Sequence, residues 1–411
     1  MDPSLFIGTT RFSLFVPGSK NWNLSSRHAS EDEYMRALYS RERLEARMDI
    51  FSRWSVPQLA EASKNYNVKH YVQCSGSLPV HYQNKLRKLT EKYDFLELFI
   101  SDSEVEHSSL IGRSALAWAK EQSKRTSFAW YRIDDDDIIG SRYFDMAHNY
   151  VEERFEGMVL SFGRGFTVVY DGGRLWNLRE FYHSKTSAGQ MYICGIDPET
   201  GVLVEPPREN HAQIDRWAPT IVDSRVPNFV TTRHTLQDGH LKGTSANSLS
   251  GILEDQKRLP VARPRGVFAE VFPKLLEEFR SSSVPMIAED QQDSGNPILV
   301  SREKSNFDLG MNREASELFI EVGMENFVDS GKLFIGLEFE KSIPKELSDS
   351  VYGWKDFGTS TLVRGYPASK RIRKYIYLSK DLMEFAPRLS IWHSADLANS
   401  RISLLDLSLR Q

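Results

Sequence analysis

The sequence predicts an α/β domain with a mostly parallel sheet, followed by a small antiparallel domain similar to a β-sandwich. Three patterns predict this fold class. In the first half, short apolar runs alternate with helix-like runs, as in βαβ units. Four consecutive aspartates, Asp134 to Asp137, directly follow the fourth apolar run. Toward the C-terminus, apolar and polar residues alternate at period two with no helical pattern between the runs, which is typical of antiparallel sheets.

The composition excludes several classes of protein. The chain has 411 residues, which at about 150 residues per domain predicts two or three domains. It carries 52 Lys and Arg against 56 Asp and Glu, a net charge of −4, so we expect no basic face and no nucleic-acid partner. Hydrophobic residues make up 40% of the chain, too many for a disordered protein. The two cysteines, Cys74 and Cys194, exclude a disulfide framework and a four-thiolate zinc site.

Targeting and membrane signals are missing from the sequence pattern. Residues 1–6 carry neither the positive charge nor the apolar run of a secretory signal. No stretch reaches the roughly 18 apolar residues that a membrane span requires. We therefore expect a soluble, cytoplasmic protein with no transmembrane segment, while peripheral contact with a membrane surface stays open.

The period of the apolar residues predicts the elements of the first half. A continuous apolar run over 9–16 predicts the first strand, and an apolar stripe predicts a charged helix over 32–52. Ser108 or Ser109 is the expected N-cap of a long helix over 108–124. The other expected elements are strands over 68–74, 95–100 and 127–133, and a Lys-rich helix over 81–93.

Glycine-rich sequences predict turns in the middle of the chain. Gly163-Arg164-Gly165 closes an expected hairpin over 158–170, and Asp171-Gly172-Gly173 is a further tight turn. In the C-terminal domain, the expected strands include 333–339, 373–378 and 402–409.

Composition also predicts the domain boundaries. The polar, Ser-, Gly- and Lys-rich stretch 239–265 predicts a linker or a mobile loop. An amphipathic helix follows over 268–279, interrupted by Pro273. We therefore expect an α/β domain over 1–250, a linker with the amphipathic helix over 251–294, and a β-rich accessory domain over 295–411.

The four aspartates are the strongest sign of a functional site. Adjacent carboxylates repel one another and are costly to bury, so a cation is expected to offset their charge. They fall at the carboxyl end of a strand, where α/β sheets bind ligands. In an extended segment Asp134 and Asp136 would share one face, and Asp135 and Asp137 the other. Carboxylate oxygens suit Mg²⁺ and Mn²⁺; the alternative is a solvated acidic turn.

A strand that ends in an acidic D-x-D, within an N-terminal α/β half, resembles the GT-A fold of nucleotide-sugar glycosyltransferases. The helix that contains Arg113, followed by a strand and the aspartates, is similar to the inverting family-2 pattern. More narrowly, residues 8–240 resemble the bacterial putative rhamnosyltransferase family. The family's T-R-F, R-x-x-x-F with a Pro-Gln segment, and R-x-D-D-D-D are here Thr10-Arg11-Phe12, Arg47 to Phe51 with Pro57-Gln58, and Arg132 to Asp137.

The resemblance implies a metal-dependent transferase whose GT-A catalytic domain is residues 1–250. Asp134 would contact the ribose or nucleotide, with Asp135 beside it. Asp136, with Asp134, would bind the Mn²⁺ or Mg²⁺ that bridges the diphosphate. His234 matches a histidine that follows a short strand in the family, and would be a further metal ligand; His240 is a weaker candidate.

Three more residues would contact the nucleotide. By the resemblance, Arg113 would reach the nucleotide or its phosphates, although it is also explained as a surface cation paired with Glu121. Arg233 would face the departing diphosphate. Ser75 follows the second strand where GT-A enzymes usually carry an acidic residue, so the identity of the nucleotide stays open.

An inverting transferase needs a general base to accept the proton of the acceptor hydroxyl. Asp215, Glu209 and His211 are the candidates, and Asp215 comes first because 211–215 fits one helical turn. Each of the three is also explained as a salt-bridged loop residue. The implied partners are a nucleotide-sugar donor and a glycan or lipid-linked glycan acceptor of the bacterial surface.

Two other functions fit the sequence. A metal-dependent phosphohydrolase would use the aspartates in a two-metal site, with further carboxylates from Glu97, Asp102 or Asp171. A non-catalytic carbohydrate-binding protein is the other. In the C-terminal domain, either a glycan-binding face or the core of the β domain explains the aromatic and basic residues Trp354, Tyr366, Arg371, Arg373, Lys374, Tyr375, Trp392 and His393.

Overall fold

The computed structural model describes residues 4–17, 30–238, 248–281, 283–285, 298–309, 316–325, 331–339, 341–345, 347, 354–356, 360–394, 397 and 401–410. The chain forms two compact units, Met1–Glu277 and Glu278–Gln411. His240 and part of the expected linker lie outside the described residues.

The first unit contains twelve of the described strands and most of the helices. Its strands are β1 Leu5–Arg11, β2 Asn67–Cys74, β3 Leu96–Ile100, β4 Thr126–Ile133, β5 Asp137–Ile139, β6 Val159–Ser161, β7 Arg164–Asp171, β8 Arg174–Tyr182, β9 Met191–Ile196, β10 Leu203–Val204, β11 Thr220–Val222 and β12 Phe229–Arg233. Its helices are α1 Glu31–Leu38, α2 Arg41–Ile50, α3 Val56–Ser63, α4 Val80–Lys92, α5 Glu104–Gln122, α6 Tyr143–Ala147, α7 Leu249–Gln256 and α8 Val267–Val271; α9 Pro273–Ser281 crosses the unit boundary.

The central sheet has the order β11-β6-β9-β4-β1-β2-β3, and β10 pairs with β9. β4, β1, β2 and β3 pair in parallel, whereas β9 runs antiparallel to β4 and β6. The mixed α/β class with a mostly parallel central sheet is therefore confirmed. Because the parallel strands share one direction, their carboxyl ends meet at one edge of the sheet.

Alternating side chains of the sheet enter two hydrophobic cores. On one face Leu5, Ile7 and Phe128 pack with Leu110 and Ala115 of α5. On the other face the core is formed by the helical segment around α2 and by the intervening residues of the same strands, including Phe6, Tyr131, Ile133, Leu44 and Phe51. The last residues of β1 and β4 therefore alternate between an α5 side and an α2 side.

The helix expected over 32–52 differs from the structure. α1 ends at Leu38, where the backbone amide of the C-cap Tyr39 closes the last turn, and α2 begins after Ser40. α2 then continues through a π-helical turn, Phe51–Ser55, into α3, where Pro57 lies in the first turn and needs no amide donor. Two arginines of α2 are buried, which an amphipathic stripe does not predict.

Two boundary predictions were wrong. The first strand is 5–11 rather than 9–16, because apolar residues after Phe12 are buried without pairing in the sheet. The N-cap of α5 is Ser103, whose side chain accepts from the Glu106 amide, and not Ser108 or Ser109, which lie inside the helix.

The expected hairpin over 158–170 does not form. β6 belongs to the central sheet, whereas β7 belongs to a second sheet of order β5-β12-β7-β8. The chain changes sheets at Gly163, where an added Cβ would lie 2.7 Å from the Ser224 hydroxyl. The turn at Gly172 and Gly173 does close a hairpin, between β7 and β8, and both glycines have positive φ, 57° and 79°.

The polar stretch expected as a linker is partly helical. α7 lies within it and buries Ile252 and Gln256. The Gln256 amide accepts from Asn177 at 2.8 Å and donates to Thr167 at 3.0 Å, which satisfies a buried polar group. The amphipathic helix is interrupted at Pro273 as expected, since α8 ends before it and α9 begins with it.

The described residues of the second unit form two sheets and one short helix, α10 Lys380–Met383. The strands are β13 Ser283–Pro285, β14 Ile298–Leu299, β15 Ser305–Asp308, β16 Ser316–Glu325, β17 Lys332–Glu338, β18 Lys355–Asp356, β19 Thr361–Pro367, β20 Arg371–Leu378, β21 Arg388–His393 and β22 Arg401–Arg410. The sheets have the orders β13-β22-β16-β20 and β15-β21-β17-β19-β18, and β14 pairs with β22. Their pairings are antiparallel, as predicted.

Both sheets of the second unit contribute to one hydrophobic core, as in a sandwich. β16 contributes Leu318 and Ile320, and β17 contributes Leu333 and Ile335. Tyr366 is part of this core and Trp354 packs against it, so these two aromatics are core residues rather than a glycan-binding face. Within the described residues, every helix is too short or too polar to cross a membrane.

Candidate active site

The four aspartates form a tight turn at the carboxyl end of β4. The amide of Asp137 donates to the carbonyl of Asp134 at 3.0 Å, and β5 begins at Asp137. Asp135 and Asp137 are buried, with 1% and 8% of their surface exposed, whereas Asp134 and Asp136 are more accessible. The alternation of exposure agrees with the predicted faces, but the contacts do not, because Asp135 and Asp136 share one arginine and Asp134 faces another. The segment is a turn and not an extended strand.

Arg47 of α2 offsets the buried carboxylates on one side of this turn. Its guanidinium hydrogen-bonds Asp135, and its Nη2 lies 3.3 Å from Asp136 and 3.1 Å from Asp238. Burial raises the pKa of Asp135, while the charge of Arg47 opposes that rise. One buried guanidinium therefore provides the counter-charge for three carboxylates. Without Arg47, Asp135 would be a buried carboxylate that lacks this counter-charge.

Arg43, one helical turn before Arg47, continues this cluster. It forms a bidentate pair with Asp238, with Nη2 at 3.0 Å from both carboxylate oxygens. Its Nη1 donates to the Ser13 hydroxyl at 2.8 Å and to the Leu38 carbonyl at 2.9 Å. The i, i+4 spacing places both guanidiniums on one side of α2. The segment after β12 is therefore attached to α2 by Asp238.

Asp136 meets His234, which is 98 residues later in the chain. The His234 Nε2 and Asp136 Oδ2 are 3.2 Å apart, and only 2% of the histidine side chain is exposed. Thr232 fixes the turn from the same strand, since its hydroxyl donates to the Asp136 carbonyl at 2.6 Å. Burial alone would raise the pKa of Asp136, but Arg47 and the bond to His234 outweigh it and lower that pKa.

Asp134 faces a second group of arginines, on the α5 side of the sheet. Arg132 Nε lies 3.6 Å from Asp134 Oδ1. Arg11 ends β1 beside this position, because Thr9 of β1 pairs with Arg132 of β4. Burial, together with the charges of Arg132 and Arg208, lowers the pKa of Arg11 to about 10. The aspartate turn therefore lies between two clusters of arginines.

The three nucleotide-binding candidates make other contacts. Arg113 is exposed on α5 and its guanidinium donates to the Glu106 carbonyl at 3.4 Å. Arg233 lies 3.8 Å from Asp255 of α7. Ser75 is buried and bonds the backbone of Phe15, accepting from its amide at 2.9 Å, so it joins the end of β2 to the segment after β1.

The base candidates lie on one short segment. Residues His211–Arg216 form a 3₁₀ helix, in agreement with the predicted helical turn. Asp215 is half exposed and pairs with Lys185 at 2.6 Å, which lowers its pKa. Glu209 is exposed on the preceding loop. His211 is half-buried; burial and the nearby charge of Arg132 lower its pKa, and Asp134 opposes this.

A metal could be held by the Asp136–His234 pair, which supplies one carboxylate and one imidazole. In the described parts of the chain, no group of three or more His, Cys, Asp or Glu is arranged to hold a metal ion. Two of the three further carboxylates named for a two-metal hydrolase are engaged elsewhere: Glu97 pairs with Lys69 at 2.9 Å, and Asp102 accepts from the Gly76 amide at 2.8 Å.

The family model for putative rhamnosyl transferase matches residues 6–245, more than half of the chain. The chain belongs to this family. The three motifs of putative rhamnosyl transferases identified in the sequence meet at the aspartate turn: Arg11 from T-R-F, Arg47 from R-x-x-x-F, and Arg132 from R-x-D-D-D-D. Although widely separated in the chain, they contribute their arginines to one site.

Other comparisons add little to the family match. Among solved structures, the inositol-1-phosphate CTP transferase from T. maritima aligns with 64% of this chain and 99% of its own, with 10% identity and a TM-score of 0.25. That similarity is too low to support an argument. No curated protein matches the chain.

Five arginines of this candidate site had no assigned role in the sequence analysis: Arg43 and Arg208, and Arg11, Arg47 and Arg132, which appeared there only within the motifs. A signal for the α2 pair is present, because two arginines four residues apart on a helix with no clear polar face suggest buried partners. Arg208 carries no such signal, since it lies in an irregular loop whose path depends on tertiary contacts.

Proposed function

We propose that this chain is a metal-dependent glycosyltransferase of the GT-A class. It would transfer a sugar, with inversion, from a nucleoside-diphosphate donor to a hydroxyl of a bacterial surface glycan. Family membership supports sugar transfer. The observation that carries the proposal is the contact between Asp136 and His234 at the carboxyl end of β4, in a turn whose neighbour Asp134 stays accessible. The strand order β9-β4-β1-β2-β3 with this turn after β4 supports the GT-A class.

The donor set of this pair favours Mn²⁺ over Mg²⁺. Mg²⁺ prefers oxygen ligands, whereas an imidazole nitrogen is a competent ligand for Mn²⁺. Two protein ligands leave the remaining positions to water and to diphosphate oxygens, which is the usual arrangement when a metal binds with a phosphorylated substrate. When bound, the ion would supply charge stabilisation for the departing nucleoside diphosphate.

Asp134 and Asp135 have different roles in this proposal. Asp134 is accessible and would bind the ribose or share the metal. Asp135 is buried against Arg47, so it would hold the turn in place rather than contact the donor. This modifies the sequence-based assignment, in which both residues bind the donor.

His211 and Asp215 are the two strongest candidates for the general base. The contact with Lys185 lowers the pKa of Asp215 and weakens it as a proton acceptor. Burial also lowers the pKa of His211 and so reduces its basicity, but an imidazole has an ordinary pKa near 6.5, well above that of a carboxyl group, and Asp134 opposes the shift. We therefore favour His211 as the general base of the acceptor hydroxyl, with Asp215 second and Glu209 third.

The test is binding of a panel of nucleoside diphosphates, with and without Mn²⁺, by calorimetry and thermal shift. We expect one nucleotide to bind more tightly with Mn²⁺ than without it, and Asp136→Asn to abolish that gain and reduce donor hydrolysis or transfer about 100-fold or more. Asp145→Asn is the matched control, because Asp145 is half exposed and pairs with Arg142 at 3.3 Å.

Three results would contradict the proposal. Unchanged Mn²⁺-dependent turnover in Asp136→Asn would exclude the assigned metal site. Stabilisation by metal that is independent of nucleotide would favour the phosphohydrolase. Binding to a glycan array, with no effect of any nucleotide or metal, would favour a carbohydrate-binding protein.

A further inference from the structure

On the α5 side of the aspartate turn, three arginines converge from three segments of the chain. Arg11 ends β1, Arg132 lies near the end of β4, and Arg208 comes from the loop after β10. The register Thr9 to Arg132 brings the first two to adjacent strand ends. These ends form the edge of the sheet at which α/β proteins bind their ligands.

Arg208 is held in a defined orientation. Its guanidinium lies 5.0 Å from the centroid of the Trp130 ring, and Trp130 stacks on Tyr192 at 4.1 Å with an interplanar angle of 4°. Its Nη1 donates to the Ser108 carbonyl at 3.0 Å, and its Nη2 donates to Glu205 at 2.9 Å. Stacking on Trp130 and two hydrogen bonds fix the orientation of the planar Arg208 guanidinium before a ligand binds.

We propose that Arg11, Arg132 and Arg208 form a phosphate-binding site beside the Asp134 turn, separate from the Asp136–His234 pair. Guanidinium groups match phosphate oxygens bidentately, which makes them the preferred residues for such a ligand. This site takes over the role that the sequence assigned to Arg113 and Arg233, which contact Glu106 and Asp255 instead.

A phosphate ligand would exchange carboxylate contacts of the three guanidiniums for phosphate contacts, because the free protein already supplies one carboxylate for each arginine. Asp134, Glu104 and Glu205 face the three guanidiniums in the free protein. Arg132 and Arg208 each keep 34% of the side chain exposed, so two of the three guanidiniums are accessible. Partial burial and the like charges of Arg132 and Arg208 lower the pKa of Arg11, and a bound phosphate would relieve the repulsion between these charges.

The phosphate could come from the donor diphosphate or from a phosphorylated acceptor, and that identity rests on the proposed function. The existence of the site does not. The first measurement therefore uses inorganic pyrophosphate with EDTA present, so that no metal contributes. We expect the wild-type chain to bind pyrophosphate in a salt-sensitive manner, and Arg132→Gln and Arg208→Gln each to weaken it about tenfold or more.

Arg208→Lys retains the charge but loses the planar fork, and should give an intermediate affinity. Arg154→Gln is the control, because Arg154 is 69% exposed and pairs with Glu152. Thermal unfolding of each variant establishes that it is folded. Absence of pyrophosphate binding by the wild type, or unchanged binding in folded Arg132→Gln and Arg208→Gln, would overturn the inference.

A competition measurement then assigns the source. If a nucleoside diphosphate with Mn²⁺ displaces pyrophosphate, the site holds the donor diphosphate. If both bind together, it holds a phosphate of the acceptor. The two proposals fail separately: loss of Mn²⁺-dependent nucleotide binding in Asp136→Asn tests the transferase, whereas metal-free pyrophosphate binding tests the arginine site.

Discussion

Gly8 shows how little space lies beside the central strand of the sheet. A Cβ at this position would lie 2.1 Å from His70 Nδ1 and 2.4 Å from Tyr131 Cζ. These two side chains are hydrogen-bonded at 3.1 Å, and His70 also bonds Thr10 at 3.0 Å. A hydrogen-bonded network thus fills the space that the glycine leaves on the face toward α2.

Gly8→Ala should destabilise the protein by about 1–3 kcal/mol or more, because the buried His70–Tyr131 pair must move. Gly112→Ala is the matched control. It lies within α5, its added Cβ would contact Leu203 at an ordinary 3.7 Å, and alanine favours a helix by about 1 kcal/mol over glycine. Denaturant unfolding of both variants tests this. Equal stability of the two would show that the strand tolerates a side chain at residue 8.

His70 predicts a pH dependence of stability. Burial lowers its pKa to about 3, whereas an unfolded histidine titrates near pH 6.5. Between these values the unfolded chain binds one more proton than the native chain. The free energy of unfolding should therefore fall as pH falls below about 6.5, by up to about 1.4 kcal/mol per pH unit.

Urea unfolding at pH 7.5, 6.0 and 5.0 measures this slope. His70→Gln should reduce the slope relative to the wild type, and His81→Gln should leave it unchanged because His81 is exposed on α4. An equal slope in wild type and His70→Gln would assign the effect to other groups.

At the scale of single elements, α2 has the largest effect on the candidate site. It contributes Arg43 and Arg47 from one side of the helix, and it is extended into α3 by a π-helical turn. Ser55, the last residue of that turn, donates to the Asp137 carbonyl at 2.8 Å. The helical segment therefore holds the aspartate turn through both charge and backbone contacts.

Arg47→Met should cost about 3–5 kcal/mol in unfolding free energy, since it leaves Asp135 buried without its counter-charge. The double variant Arg47→Met with Asp135→Asn should recover a large part of that loss. Arg53→Met is the control: its pair with Asp49 is partly exposed and should be worth at most about 1 kcal/mol. If the double variant is no more stable than Arg47→Met, the pairing with Asp135 is not the cause.

Element boundaries show where sequence patterns succeed. The β2 and β4 ranges agree with prediction to within one residue, because each contains β-branched and aromatic residues and is followed by polar residues. The prediction of a hairpin over 158–170 was wrong because a glycine-rich turn is compatible with two structures: a chain reversal within one sheet, or a passage between two sheets. The choice depends on Ser224 and Phe229, which pack against Gly163 and Gly165.

At the scale of the whole molecule, the two compact units have separate hydrophobic cores. Every candidate residue of the active site lies in Met1–Glu277. The family match, residues 6–245, also lies within that unit. Donor binding is therefore expected to depend on the first unit, and the second unit is the place to look for an accessory role.

Ile335→Ala and Leu160→Ala remove fully buried side chains from the second and first cores. Each should cost about 2–5 kcal/mol of unfolding free energy. At a temperature where Ile335→Ala and the wild type are both folded, this variant should keep the pyrophosphate and nucleotide affinities of the wild type. A loss of affinity in folded Ile335→Ala would show that the second unit contributes to the binding site.

The sequence by itself determined the α/β class, the antiparallel C-terminal sheets, the family, and the aspartate run as the centre of the candidate site. The fold class and the aspartate run follow from local patterns: apolar period, turn residues, and a charge density that cannot be buried without partners. The family follows from the resemblance of three motifs to known sequences, and the family model agrees. Asp136 and His234 were named from the resemblance, and the structure brings them together.

Only the tertiary structure decided which cations accompany those aspartates. Arg47 lies 88 residues before Asp135, and Arg208 approaches Trp130 from a loop with no regular pattern. From the sequence, Arg113 and Arg233 were equally plausible as phosphate-binding residues, yet in the structure they contact Glu106 and Asp255. The reason is that a positive charge attracts any nearby carboxylate. Which carboxylate an arginine pairs with depends on distance and burial, and parallel strand pairing and helix packing set both.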